Sequence, residues 1–348
     1  LSFIFERTDK MIYPDFIKKA DTIGVTAPSD GITRKEKIYR LDSAITNLTN
    51  KGFKIKETSN VRKSEKGRSA SSSKHAQELL SLYQDDEVKA IICAAGGDFL
   101  LEILPFVDFD IIKENPKWIQ GYSDPGTLAY VITTSLDIAT IYGDNIGSFG
   151  MNPWHQSLTN NIEILEGNII EQTSFDKYEN GYQDYVVGDE PYVLTEPVYW
   201  KNLNNEEKIE ITGRIIGGCL DCLRDLFGTS FDKTLDFIEK YKNDGIIWYF
   251  DNYDLSSEQL ILTLWKFKDA GYFNYTKCII FGRCIKEYSY YDISFEEALK
   301  HSLNDLNIPI IINVDIGHVS PRMIIINGSV ITVISKKGHG KITTFLKK

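Results

Sequence analysis

The residues best able to do chemistry lie in Gly121-Tyr122-Ser123-Asp124-Pro125-Gly126, and they point to acyl transfer. Trp118-Ile119-Gln120-Gly121 reads as a short buried strand. Leu128, Val131, Ile132, Ser135 and Leu136 follow at i, i+3, i+4, i+7 and i+8, the spacing of a helix. Asp124 is a suitable N-cap and Pro125 a suitable first helical residue. Ser123 therefore falls on a strand-to-helix turn at the positive end of a helix, where a hydroxyl is exposed and backbone N–H groups point outward. This is the geometry of a nucleophile elbow, although the second glycine of G-x-S-x-G comes one place late. The alternative reading of the same residues is a plain helix cap.

A serine nucleophile needs a base, and the base needs an orienting carboxylate. The chain has five histidines. His75 and His301 sit on polar helices, His155 in a polar loop and His339 in a Lys/Gly-rich tail, so solvent exposure is expected for all four. His318 differs, since it follows the apolar run Ile310 to Val314 and Gly317, at the carboxyl end of a strand. Asp251 ends the run Ile246 to Phe250 in the same way, and an acid there is costly unless paired. Cys219-Leu220-Asp221-Cys222 is formally C-x-x-C, but no second pair or nearby histidine in the sequence completes a ligand set. The expectation is two small apolar residues on a buried helix face, with no metal and no cofactor.

The elements that must position these residues alternate. Strands are expected over 22–27, 53–57, 88–94, 118–121 and 139–142, with helices over 35–51, 75–83, from 99 and from 125. Five strand–helix alternations imply a parallel sheet covered on both faces, with functional groups at the carboxyl ends of its strands. Gly97 and Ser123 both lie at such ends. The segment 175–205 is rich in Tyr, Asp, Glu and Asn and reads as linker and exposed strands. Beyond it, strands over 209–216, 246–250, 277–281 and 310–314 and helices over 219–227, 232–241, 256–270 and 295–306 form a second, more mixed α/β unit. Asn327-Gly328 between two apolar runs predicts a hairpin turn. The expected division is 11–174, 175–208 and 209–348. Residues 1–10 read as an extension ahead of Met11.

At 348 residues the chain suffices for two domains, and a net charge of −10 disfavours phosphate backbones, so nucleic acid is not an expected partner. No run of 18 apolar residues and no basic-then-apolar N-terminus predicts a membrane span or signal peptide. Five unpatterned cysteines suit a reducing compartment, so a cytoplasmic location is expected.

Taken in order, Gly96-Gly97, Leu104-Pro105, Asp108, Asn115-Pro116-Lys117, Gly121-Tyr122-Ser123-Asp124, Gly217-Gly218 and Gly317-His318 resemble the S66 serine peptidases. These are the LD-carboxypeptidases of murein recycling and the microcin C immunity peptidases. The likeness runs from Ile23 to Asn327-Gly328. It implies a flavodoxin-like, class I amidotransferase-like N-terminal domain carrying the serine, and a C-terminal mixed (swivelling β/β/α-like) domain carrying acid and histidine. It also implies a homodimer. Carried over, Ser123 is the nucleophile, His318 the base, and the N–H groups of Gly97 and Asp124 the oxyanion hole, where each donor is worth about 2.7–4 kcal/mol. The family's acid is glutamate, and the matching residue here is Asp251, one methylene shorter. Three readings follow: the backbone shifts so that Asp251 reaches His318, another acid such as Asp254 substitutes, or the site is weakened.

The implied activity is cleavage of an amide at or near the carboxyl terminus of a small peptide conjugate, either a muropeptide or a peptidyl-nucleotide. The stretch from Tyr178 to Trp200 is read either as a specificity loop or as aromatic cover at a domain junction. Two other readings compete: a non-catalytic binding protein on the same scaffold, motivated by Asp251, and a nucleotide-binding enzyme using Gly96-Gly97-Asp98. The latter lacks phosphate-loop spacing.

Overall fold

The computed structural model describes residues 10–169, 171–181 and 184–348. The expectation for the first ten residues therefore falls, but for Lys10, outside the described residues. Among these, two large sheets dominate. The first runs in space Ile325–Asn327, Thr140–Tyr142, Trp118–Gly121, Val88–Cys93, Thr22–Thr26, Lys54–Glu57. All its pairings are parallel except that of Ile325–Asn327 with Thr140–Tyr142. Helices Lys35–Asn50, Ser72–Gln84 and Pro125–Leu136 connect and cover these strands, as alternation requires.

The second sheet runs Gln172–Thr173, His339–Phe345, Val330–Lys336, Lys208–Cys219, Ile246–Asp251, Thr276–Gly282, Ile310–Val314, Lys201–Asn202. Its centre is parallel and its flanks antiparallel. The mixed α/β class expected from sequence is the one observed. No helix of the described residues is long and apolar enough to cross a membrane.

The helix Pro125–Leu136 is buried continuously from Pro125 to Thr134. It packs on its own sheet and also on Lys208–Cys219 of the other. A helix enclosed on both sides carries apolar residues all round, which is why its sequence shows more than one stripe. The serine at its start is thereby placed between the two sheets.

Three local expectations change. Asn327-Gly328 does not close a hairpin: Ile325–Asn327 belongs to the first sheet and Val330–Lys336 to the second. The turn is pinned between them, with the Tyr249 hydroxyl on Asn327 Oδ1 at 2.9 Å and the Gly328 N–H on the Ile215 carbonyl at 2.9 Å. Strand Lys208–Cys219 runs three residues beyond the expected end, so Cys219 ends a strand and does not belong to a helix face. The Lys/Gly-rich tail holds a seven-residue strand, His339–Phe345, paired along Val330–Lys336.

Candidate active site

Ser123 follows strand Trp118–Gly121 with φ of +65°, and helix Pro125–Leu136 starts two residues later. A non-glycine residue in the left-handed region costs about 1–3 kcal/mol and persists only where its surroundings fix it. Here they do. The Ser123 carbonyl accepts from the Gly126 N–H at 2.9 Å, its N–H meets the Tyr142 hydroxyl at 3.3 Å, and the Tyr122 N–H meets Asn145 Oδ1 at 3.3 Å. A side chain at Gly121 would meet Pro125 Cβ at 2.8 Å, so the turn closes only around glycine. The elbow geometry expected from sequence is present.

Asp124 stands at the cap position, but its carboxylate does not cap the helix. It accepts the Leu100 N–H at 2.9 Å and the hydroxyl of Ser29. Burial raises the Asp124 carboxyl above its ordinary range, and these donors oppose the rise. The carboxylate thus clamps the loop after Val88–Cys93 against the elbow. In that loop a Cβ at Gly96 would lie 3.1 Å from Ser123 Oγ, and one at Gly97 would lie 2.2 Å from Ser29 Oγ. Among the described residues, the N–H groups of Gly97 and Asp124 enter no turn or loop backbone hydrogen bond.

On the other sheet, Asp251 ends strand Ile246–Asp251 and is fully buried. Its Oδ2 lies 2.6 Å from His318 Nδ1, and its Oδ1 accepts the His318 backbone N–H at 3.2 Å. The shorter acid therefore reaches the histidine. Asp254, the alternative acid, is exposed and lies 3.7 Å from Lys286. The His318 ring packs against Tyr253 at 4.5 Å and edge-on to Tyr122 at 5.2 Å. With Nδ1 donating to Asp251, Nε2 keeps its lone pair, the tautomer a general base requires.

One hydroxyl joins the two halves. Tyr142, at the carboxyl end of Thr140–Tyr142, donates to Asp251 Oδ2 at 2.8 Å and receives the Ser123 N–H. The five residues singled out in the sequence, Gly97, Ser123, Asp124, Asp251 and His318, thus gather where the two sheets meet. Arg322 fixes the histidine loop: Nε donates to the Gly317 carbonyl at 2.6 Å, Nη1 pairs with buried Asp144, and the guanidinium lies 4.2 Å over the Tyr122 ring.

Sequence reasoning passed over Tyr142, Ser29 and Arg322. Tyr142 and Ser29 had a positional signal, since both sit at or just past the carboxyl end of a strand of the first sheet. Two histidines expected in solvent are not there. His75 is buried, with Nδ1 on the Pro28 carbonyl at 3.1 Å and Nε2 accepting from Ala70 N–H at 2.6 Å. His155 is half-buried and caps helix Gln156–Leu165. Although no histidine stands near the C-x-x-C in the sequence, Cys219, Asp251 and His318 each place one ligand atom within 4.8 Å of the others. In the aromatic stretch, Tyr185 lies under the Arg40 guanidinium at 4.2 Å, Tyr192 packs on His155, and Tyr199 is exposed.

Known proteins resemble this chain across both of its halves. Residues 23–143 match the LD-carboxypeptidase N-terminal domain of the S66 peptidases, and residues 212–333 match the C-terminal domain. The chain is 27% identical over 321 residues to the microcin C7 self-immunity protein MccF of Escherichia coli, covering 87% of each. It is 25% identical over 314 residues to a Bacillus subtilis protein named "Probable murein peptide carboxypeptidase", covering 89% of this chain and 88% of the relative. Among solved structures, an MccF-like protein of Bacillus anthracis superposes with a TM-score of 0.81 at 26% identity, over 96% of this chain and 99% of the other.

Proposed function

Because this chain belongs to the S66 peptidase family, we propose that it is a serine peptidase or amidase in which Ser123, His318 and Asp251 form the triad. Ser123 Oγ attacks the carbonyl carbon of the scissile amide while His318 Nε2 takes the hydroxyl proton. The N–H groups of Gly97 and Asp124 receive the oxyanion, acting where charge develops. Collapse of the tetrahedral species transfers the proton from His318 to the departing amine. Water, activated by the same imidazole, then releases the acyl group. Asp251 holds the tautomer and stabilises the imidazolium. The observation that carries the reading is the 2.6 Å contact of Asp251 Oδ2 with His318 Nδ1. It supports the first of the three readings of Asp251 over that of a non-catalytic protein.

The substrate class is a small peptide or peptide conjugate cleaved at or near its carboxyl terminus, with muropeptides and peptidyl-nucleotides as its two forms. The names of the relatives support one each. We further propose a cytoplasmic homodimer with domains 11–174 and 209–348 joined through 175–208, the segment Ile325–Asn327 being lent back to the first sheet.

The test is hydrolysis of an LD-tetrapeptide and of a peptidyl-adenylate analogue by the wild-type chain and Ser123→Ala, beside labelling with an active-site serine probe. Wild type is expected to turn over at least one substrate and to take the probe, and Ser123→Ala to do neither. Turnover unchanged in Ser123→Ala would remove Ser123 from the mechanism.

A further inference from the structure

Strands Lys208–Cys219 and Ile246–Asp251 are parallel neighbours, and their register sets Cys219 directly beside Asp251. Register partners in a sheet project to the same face. The Cys219 thiol is thereby delivered next to the Asp251–His318 pair, and the mechanism above makes no use of it. Cys219, Asp251 and His318 are 3%, 0% and 4% exposed, and each places one ligand atom within 4.8 Å of the other two.

From this juxtaposition we propose that Cys219, Asp251 and His318 form a binding site for a thiophilic divalent cation of the Zn2+ class, and that its occupation disables the histidine. One thiolate, one imidazole and one carboxylate make a donor set of the kind Zn2+ takes, and hard cations such as Mg2+ and Ca2+ do not favour it. Ligand atoms around a tetrahedral zinc stand ~3.3–3.8 Å apart, given bond lengths of about 2.0–2.3 Å. The 2.6 Å contact between Asp251 and His318 must open by ~1 Å, and Cys219, within 4.8 Å of both, has at most ~1.5 Å to close.

The consequence for the histidine follows from proton bookkeeping. A cation on Nδ1 takes that lone pair, so the single imidazole proton moves to Nε2. The Cys219 thiol loses its proton to solvent. An Nε2–H imidazole cannot accept the proton of Ser123. The binding itself rests only on the arrangement of the ligands, whereas its effect on turnover rests on the reading of His318 as base.

The experiment is titration of the full chain with Cd2+, followed by the ultraviolet charge-transfer band of a Cd–thiolate bond. This readout does not depend on turnover and stands even if no substrate is hydrolysed. One Cd2+ per chain is expected, with the band lost in Cys219→Ala and Cys219→Ser and kept in Cys278→Ala, whose thiol is buried elsewhere. His318→Gln should weaken binding at least tenfold. In parallel, the ratio of serine-probe labelling with and without Zn2+ should fall below one in wild type and return to one in the Cys219 variants. Circular dichroism checks that each variant is folded. A band that survives both folded Cys219 variants, or Cd2+ affinity unchanged in His318→Gln, would overturn the site.

Discussion

Gly317 lies so close to Asp251 that a Cβ built on it would come within 2.2 Å of the carboxylate carbon. The backbone there has φ of +91°, and the histidine loop settles directly onto the shorter acid. That approach brings the His318 N–H and Nδ1 to the two oxygens of one carboxylate. The loop has no slack for another methylene. Asp251→Glu is therefore expected to overpack the site, at a cost of about 1–3 kcal/mol, and to lower kcat/KM. A rise in kcat/KM would show that the site is a weakened form waiting for glutamate. Asp251→Asn should leave the fold intact and lower kcat by about 10⁴ with little change in KM, as loss of the orienting acid does elsewhere.

Tyr142→Phe removes the hydroxyl shared by Asp251 and the Ser123 N–H. A hydrogen bond to a charged group contributes about 1.5–3 kcal/mol. Steady-state kinetics should show kcat reduced about tenfold or more with KM nearly constant, since neither contact involves substrate. Unchanged kcat in a folded variant would mean that the hydroxyl only fills space.

Gly97→Ala places a methyl group 2.2 Å from Ser29 Oγ and must displace the loop that carries the Gly97 N–H, the proposed oxyanion donor. Loss of a single such donor lowers kcat by about 10²–10³. The double variant Gly97→Ala/Ser29→Ala removes the clash, so the two changes should be less than additive. Full additivity in kcat would place the effect of Gly97 somewhere other than its contact with Ser29.

Arg322→Met leaves buried Asp144 without its ion-pair partner and frees the carbonyl of Gly317. Breaking a buried pair from one side costs about 3–5 kcal/mol, which denaturant unfolding would register. Arg322→Met/Asp144→Leu should regain much of that stability, but not activity, because the histidine loop stays unbraced. Recovery of both would reduce Arg322 to a purely structural role.

His75 is held neutral by burial, its pKa lowered below the ordinary value of 6.5. The unfolded chain binds a proton at His75 as pH falls through about 6.5, whereas the folded chain does not until lower pH. Stability should therefore decline as pH drops from 7, and level off for this group below its folded pKa. Melting temperatures between pH 7 and 5 should fall less steeply in His75→Gln. Identical slopes would show that carboxylates dominate acid unfolding here.

Local pieces of the fold follow from short stretches of chain. Strand–helix alternation, the apolar runs ending in Ser123, Asp251 and His318, and the glycines beside them were all legible, because period and turn chemistry act over a few residues. The ordered glycine and proline motifs also fixed the family. What the chain could not state in one dimension was which strand ends meet. The partnership of Tyr142 with Asp251 spans 109 residues, and that of Arg322 with Asp144 spans 178. The register that lays Cys219 beside Asp251 is a property of paired strands. Burial of His75 likewise depended on Pro28 and Ala70 folding over it. How the shorter Asp251 comes to reach His318 was decided at Gly317, by how closely one loop approaches one strand end, and that distance exists only once both sheets have packed.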